Sequence, residues 1–246
     1  MFGYNLHPSV PREGPSLKIA DVGTGTGVWL LDLRQELDPT AELVGIDVDI
    51  SQAAPKQWLP ENISLREWSV FTDVPDDLVE MFDIVNLRLF SFVIENDPAP
   101  VLRKLTRLLK PGGHLQWSET DVRSCRIDTS SPDVPTDALT ELWEQTVQND
   151  PRLYHSWARD LPQVLKTEGL INVLADWRRQ EGHAGMMLHW CTFAMFEMFA
   201  AKMQSTNPKK AADIMSLVQA SAVETRRGAM YAFDRVLVVG QKPENC

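Results

Sequence analysis

A chain of 246 residues, 43% hydrophobic and 24% charged, has the balance of a soluble globular protein large enough for one α/β domain, with or without an inserted cap. Its 34 acidic against 24 basic side chains give a formal charge of −10, which argues against a sequence-independent grip on nucleic acid built on phosphate neutralisation. Charges break every apolar stretch well short of the ~18 residues of a membrane span, which argues against a membrane protein. The first residues, "MFGYNLHPSVPREGPS", lack the basic region and apolar core of a secretory signal. Three cysteines, Cys125, Cys191 and Cys246, neither complete a disulfide framework nor match a zinc spacing, so the expectation is a reduced, cytoplasmic protein.

Strand-like and helix-like segments alternate along the chain. "SLKIADVG" is an apolar run ending in glycine, and "VWLLDLRQELD" has Val28, Leu31, Leu33 and Leu37 suited to a helix packed on a sheet. "AELVGIDVD", "ISLREW" and "FDIVNLR" read as the second, third and fourth strands. "DPAPVLRKLTRLLKPGG" has helical spacing that stops at Lys110 with Pro111-Gly112-Gly113, and "HLQWSE" follows as the fifth strand. The connector "DTSSPDVPTD" leads into a helical insertion, and "INVLADWRR" and "DRVLVVGQK" supply two more strands. This rhythm predicts a doubly wound, mostly parallel α/β sheet of seven strands with helical insertions. Residues 1–246 form one domain on this reading: 17–121 the cofactor-binding half, 122–232 the cap insertions and sixth strand, 233–242 the last strand. In such sheets ligands sit beyond the carboxyl ends of the strands, where Asp21 to Gly27, Asp47, Ser69 to Phe71, Arg88 and Glu119 all fall.

The stretch "IADVGTGTGVWLLDL" spaces Gly23, Gly25 and Gly27 as G-x-G-x-G, without the glycine at position 28 that a dinucleotide turn requires. Asp21 stands at the mouth of the turn, where its charge repels a pyrophosphate and attracts an ammonium or a sulfonium. Asp47 lies twenty residues beyond Gly27 at the end of the second strand, the place of an acid that accepts two ribose hydroxyls; alone it also reads as a helix cap or solvated strand end. Asp49 reads as the cap of the next helix. A nucleoside without a pyrophosphate fits these residues, and S-adenosylmethionine is such a ligand.

"IADVGTGTGVW", "VGIDVD", "FDIVNLR" and "VLRKLTRLLKPGGHLQWSE" resemble, in order, the successive motifs of class I S-adenosylmethionine-dependent methyltransferases. "DVGTGTGVW", with Trp29 after the turn, most resembles the fungal methyltransferases of secondary metabolism. The likeness covers residues 17–121. It implies a Rossmann-like seven-stranded sheet with the last strand antiparallel. It also implies a methionine-binding turn from Asp21, Gly23, Thr24, Gly25 and Gly27, with Asp47 and neighbouring Val48 at the ribose. The family often places an acid after the third strand for the adenine amino group; here Ser69 stands at the best-aligned position and Asp73 is displaced. Adenine would then rely on Ser69, the backbone of Val70 and Phe71, and apolar stacking.

Methyl transfer from a sulfonium is a one-step displacement that needs mainly positioning, and a base only where the acceptor carries a proton. No catalytic residue is therefore advertised. Arg88 is a candidate for the cofactor carboxylate or a substrate acid, or else pairs with Asp83 or Glu119. Glu119 is a candidate to orient an amine or hydroxyl, or is a surface acid. His155, His183 and His189 lie in the insertions, where a base or substrate contact belongs; a metal on His183, His189 and Cys191 is not expected, because positions 189 and 191 diverge on a helix.

"GMMLHWCTFAMFEMFAAKM" is apolar nearly all round, as a buried or interface helix is; its His189, Trp190 and Phe193 are candidates for the wall of an apolar substrate pocket meeting the glycine turn. Class I methyltransferases normally place helices before the first strand, but the roughly 17 residues here hold Pro8, Pro11 and Pro15 and fit no useful helix. "FGYNLHP" then supplies at most a short lid, and a bare sheet face would be covered by a second copy (a homo-oligomer) or a partner chain. The expected function is methyl transfer to O or N of a small-molecule substrate. The alternative is a catalytically incomplete cofactor-binding scaffold or regulatory partner.

Overall fold

The computed structural model describes residues 2–14, 16–148, 150, 153–180 and 182–244. Its elements in chain order are β1 (Lys18–Val22), α1 (Val28–Leu33), β2 (Glu42–Asp47), β3 (Ile63–Glu67), β4 (Phe82–Arg88), α2 (Ala99–Leu108) and β5 (Leu109–Thr129). They continue with α3 (Asp137–Trp143), α4 (Trp157–Thr167), β6 (Ile171–Arg179), α5 (Gly182–Met203), α6 (Pro208–Arg226) and β7 (Ala229–Gln241). The seven strands form one sheet in the order β3-β2-β1-β4-β5-β7-β6. The first five pair in parallel. β7 runs against β5, since Gly112 N donates to Lys242 O while Ser130 N donates to Gly228 O. It also runs against β6, as Gln180 N donating to Phe233 O and Asn172 Nδ2 bonding Gln241 Oε1 require. The expected mostly parallel sheet with an antiparallel last strand is what forms.

Two strands are longer than their sequence patterns. β5 continues ten residues past Glu119, because Val122, Cys125 and Ile127 pack into a core shared with Ala229, Tyr231 and Phe233 at the start of β7. α2 ends at Leu108, short of the expected Lys110, because fully buried Leu109 already pairs with Phe82 of β4. Two compact units result. One comprises Thr120–Ala158 with Arg178–Arg235, and its core gathers Leu139, Leu142, Trp143, Phe193, Phe196 and Ile214. The other comprises Phe2–Glu119, Arg159–Trp177 and the chain from Val236 on, and it contains the glycine turn. Among the described residues no helix is long and apolar enough to cross a membrane.

The segment before β1 corrects the expectation of a bare face. It forms no helix, yet Leu6 and Val10 enter the core beside Ile19, Trp29, Leu30, Leu33, Leu237 and Val239. Its backbone is fixed by Gln116, whose Oε1 accepts from His7 N at 2.8 Å and whose Nε2 donates to Asn5 O at 2.9 Å. Tyr4 and His7 do not form a free lid: the Tyr4 hydroxyl donates to Asp176, and His7 Nε2 lies 3.8 Å from the same carboxylate. Leu6 is wholly inaccessible, so Leu6→Ala is expected to cost about 2–5 kcal/mol in chemical denaturation. A cost below 1 kcal/mol would mean that the segment is not part of the core.

Candidate functional site

The carboxyl ends of β1, β2, β3 and β4 bring together eleven of the residues selected from the sequence. The turn after β1 is pinned from below, where Gly23 N and Thr24 N both donate to Ile46 O, at 2.7 and 3.1 Å. Gly23, Gly25 and Gly27 all have positive φ (72°, 54° and 75°), the left-handed backbone that side chains other than glycine's resist. A Cβ on Gly25 or Gly27 would meet nothing within 4 Å, so the turn faces open space. Asp47 holds the turn's shape with Oδ2, which accepts from Gly25 N at 2.8 Å, while Oδ1 accepts from Val48 N at 2.7 Å. A carboxylate has about four lone-pair sites, and Oδ1 also meets Asp49 N at a longer 3.4 Å, so half-buried Asp47 retains a free site on Oδ2 and only a weakly used one on Oδ1 for ribose hydroxyls.

Asp21 is 1% exposed. Its oxygens accept from Thr24 Oγ1 at 2.9 Å and Asn86 Nδ2 at 2.7 Å. Burial pushes its carboxyl above the usual carboxylate range, against the pull of the Arg88 guanidinium and of these two bonds. Asn86 Oδ1 in turn accepts from Gln116 Nε2 at 2.9 Å. Asp21, Asn86 and Gln116 are register partners across β1, β4 and β5, so one rung of the sheet carries a buried polar row from the glycine turn to the N-terminal segment. Sequence reasoning missed Asn86 and Gln116. The signal was present as a single amide inside each of the apolar strands "FDIVNLR" and "HLQWSE".

After β3, Ser69 shapes a tight turn. Its Oγ accepts from Phe71 N at 3.3 Å and its carbonyl from Thr72 N at 2.9 Å. Val70 turns inward, whereas Phe71 and Val48 are 62% and 70% exposed apolar groups on neighbouring strand ends. Asp49 caps a short turn by accepting from Ser51 N at 2.9 Å. Neither expected ion pair of Arg88 forms. Asp83 holds Lys110 Nζ at 2.8 Å with both oxygens, and Glu119 is occupied by other donors. The Arg88 guanidinium lies 5.7 Å from the centre of the Trp29 ring, and its Nε is buried without a hydrogen-bond partner. An orphaned guanidinium nitrogen beside a glycine turn is what a carboxylate-bearing ligand satisfies.

Glu119 requires correction. It is neither a surface acid nor a group presented to a ligand, but fully buried, with its oxygens turned under the loop after β4. Oε1 accepts from Phe90 N at 2.7 Å and Trp117 Nε1 at 2.8 Å, and Oε2 from Ser91 N at 3.2 Å and Ser91 Oγ at 2.6 Å. Burial raises its pKa, opposed first by the Ser91 and Trp117 bonds.

His189 is corrected as well. It is inaccessible, its Nδ1 accepts from Tyr231 N at 3.0 Å, and its Nε2 lies 2.8 Å from Thr225 Oγ1. Thr225 Oγ1 gives its own proton to Ser221 O, so it accepts from His189, and the ring is the neutral Nε2–H tautomer. Neither nitrogen is left for a substrate. Burial holds its pKa down at about 4, so the unfolded chain protonates first as pH falls. Stability is therefore expected to drop by up to about 3 kcal/mol between pH 6.5 and 4. Denaturation across that range should show a visibly flatter slope in His189→Gln, and equal slopes would refute the assignment.

Trp190 and Phe193 do share a cleft, of about 320 Å³, between α5 and α6, with Glu197, Met215, Val218 and Gln219 among its other walls. Of the remaining histidines, His155 is buried and stacked on Trp157, and His183 is exposed on α5.

Residues 20–115 match the family model of a methyltransferase domain. The strand order and the glycine turn agree with that match and support a domain of the class I, S-adenosylmethionine-dependent methyltransferase kind. Among curated relatives, the chain is 38% identical over 114 residues to the methyltransferase grgD of a Penicillium species, covering 44% of this chain and 40% of that protein. It is 29% identical over 156 residues to the secondary metabolism regulator LAE1 of Hypocrea atroviridis, covering 62% and 42%. The matched stretch thus spans less than half the length of these relatives. Of solved structures, phosphoethanolamine N-methyltransferase 2 of Haemonchus contortus with S-adenosyl-L-methionine superposes with a TM-score of 0.54 at 12% identity, over 95% of this chain and 50% of that one, and supports the fold.

Proposed function

We propose that this protein binds S-adenosylmethionine and transfers its methyl group to a nitrogen or oxygen of a small, apolar, natural-product-like acceptor. The observation that carries the reading is the open glycine turn flanked by two groups with bonding capacity left, the outer lone pair of Asp47 Oδ2 and the Nε of Arg88. Asp47 suits the ribose, Arg88 with the turn's backbone suits the amino acid end, and Val48 and Phe71 suit the adenine faces. When bound, the cofactor supplies an electrophilic sulfonium methyl, so the protein's part is to orient an acceptor in line with it and exclude water. Leu89, Phe92 and Val93, 43–54% exposed on the turn after β4, offer an apolar surface close to the glycine turn and favour an uncharged acceptor. Relatives named as a methyltransferase and as a secondary metabolism regulator support a natural-product setting.

The test is titration of the full chain with S-adenosylhomocysteine, followed by incubation with methyl-labelled cofactor and a fungal metabolite extract. Micromolar affinity, about −8 kcal/mol, and label in an organic-soluble product are expected. Absence of binding overturns the cofactor site. Binding without transfer to any extract favours the second reading, a regulatory cofactor-binding protein. That reading is supported by the regulator LAE1 and by the inward use of both Glu119 and His189.

A further inference from the structure

The deepest carboxylate of the cofactor-binding unit, Glu119, takes part in none of the steps above, yet it is the most heavily bonded acid there. Burying a carboxylate is costly, and four donors offset that cost, three of them on the turn after β4 (Phe90 N, Ser91 N and Ser91 Oγ) and the fourth, Trp117 Nε1, on β5. The turn needs such support. Leu89, a non-glycine residue, sits at φ 61°, a conformation that costs roughly 1–2 kcal/mol. The next residue, Phe90, is 8% exposed, and its ring occupies the place where a side chain on Gly23 would be: a Cβ there would lie 2.3 Å from Phe90 Cε2. The glycine turn is thus held from three sides, by Ile46 O beneath, by Asp47 through Gly25, and by the Phe90 ring.

We propose that Glu119 is a positioning residue for methyl transfer: by clamping Phe90 and Ser91 it seats the Phe90 ring against Gly23 and fixes the cofactor turn in its open form. This inference rests on the reading of the turn as the cofactor site. It links two loops that both flank the cofactor, one from β1 and one from β4. The same clamp sets the outward pose of Leu89 and Phe92, so cofactor hold and acceptor surface share one buried support.

The experiment compares wild type, Glu119→Ala, Glu119→Gln and Phe90→Leu as full chains, by S-adenosylhomocysteine calorimetry and by hydrogen exchange of the free proteins. Glu119→Ala is expected to bind about tenfold or more weakly. It should also speed exchange at residues 89–92 and 23–27 while leaving α6 unchanged. Glu119→Gln, which keeps an oxygen for Trp117 and Phe90, should recover most of the affinity, a rescue that general destabilisation does not produce. Phe90→Leu keeps the clamp, shrinks only the wedge, and should weaken binding by itself. It decides the matter if Glu119→Ala does not fold. Wild-type affinity in Glu119→Ala or in Phe90→Leu, with unchanged exchange at 23–27, overturns the proposal. If wild type itself does not bind the ligand, the cofactor reading fails, and exchange at 23–27 still shows whether the clamp reaches the turn.

Discussion

Asp47→Ala is expected to weaken S-adenosylhomocysteine binding by a few hundredfold, the largest single loss at this site. Two effects combine. Each ribose hydroxyl loses a charged acceptor, worth about 1.5–3 kcal/mol per bond. Gly25 N also loses its partner at 2.8 Å, so the turn is released from β2 at its middle residue. Asp47→Asn should fall between the two, because its amide oxygen replaces only one of the two acceptors. Stability is expected to change far less, by about 1 kcal/mol, since the Ile46 carbonyl still anchors Gly23 and Thr24. Calorimetry beside thermal unfolding separates the effects. Binding within threefold of wild type would show that Asp47 only shapes the turn and touches no ligand.

The residues that were legible in the sequence are those whose role is local. Gly23, Gly25 and Gly27 announce themselves because only glycine tolerates three left-handed residues within five positions. Asp47 is legible because a parallel strand pair fixes where the second strand ends relative to the turn. Residues whose role depends on a distant partner were not legible. An acid at the end of a strand has the same sequence context whether it faces solvent or, like Glu119, folds back beneath a loop twenty-eight residues earlier in the chain. His189 lies in an apolar helix that suggests a pocket wall, and only the strand carrying Tyr231 reveals that the ring is an internal joint. The N-terminal segment forms no helix, as its prolines predict, but its packing into the core was not legible. Its anchor is a side-chain amide on β5, so no periodicity records it. α5 shows the same limit at the level of packing. An apolar circumference predicts burial, but Phe193 and Phe196 are buried while Met187, Trp190 and Met198 on other faces are 46–71% exposed.

The glycine turn itself offers the second large effect, because Gly23 and Gly25 are required for different reasons. Gly23→Ala is expected to destabilise the fold by about 2–5 kcal/mol, combining left-handed strain of roughly 1–2 kcal/mol with overpacking of about 1–3 kcal/mol against Phe90. The ring has little room to withdraw, since Phe90 is 8% exposed and its backbone is tied to Glu119 at 2.7 Å. Gly25→Ala meets the same kind of strain but no neighbour within 4 Å, so its cost in stability stops at about 1–2 kcal/mol. Its methyl group projects instead into the space left open for a ligand and should weaken S-adenosylhomocysteine binding disproportionately. Adding Phe90→Leu to Gly23→Ala should return the overpacking share, leaving a coupling of about 1–2 kcal/mol in a double-mutant cycle, whereas the same change beside Gly25→Ala should be additive. Unfolding curves for the three single and two double variants, beside wild type, measure both cycles. Equal coupling at positions 23 and 25 would mean that Phe90 supports the turn as a whole, and no coupling at 23 would mean that the ring withdraws freely and the clamp beneath it does not hold.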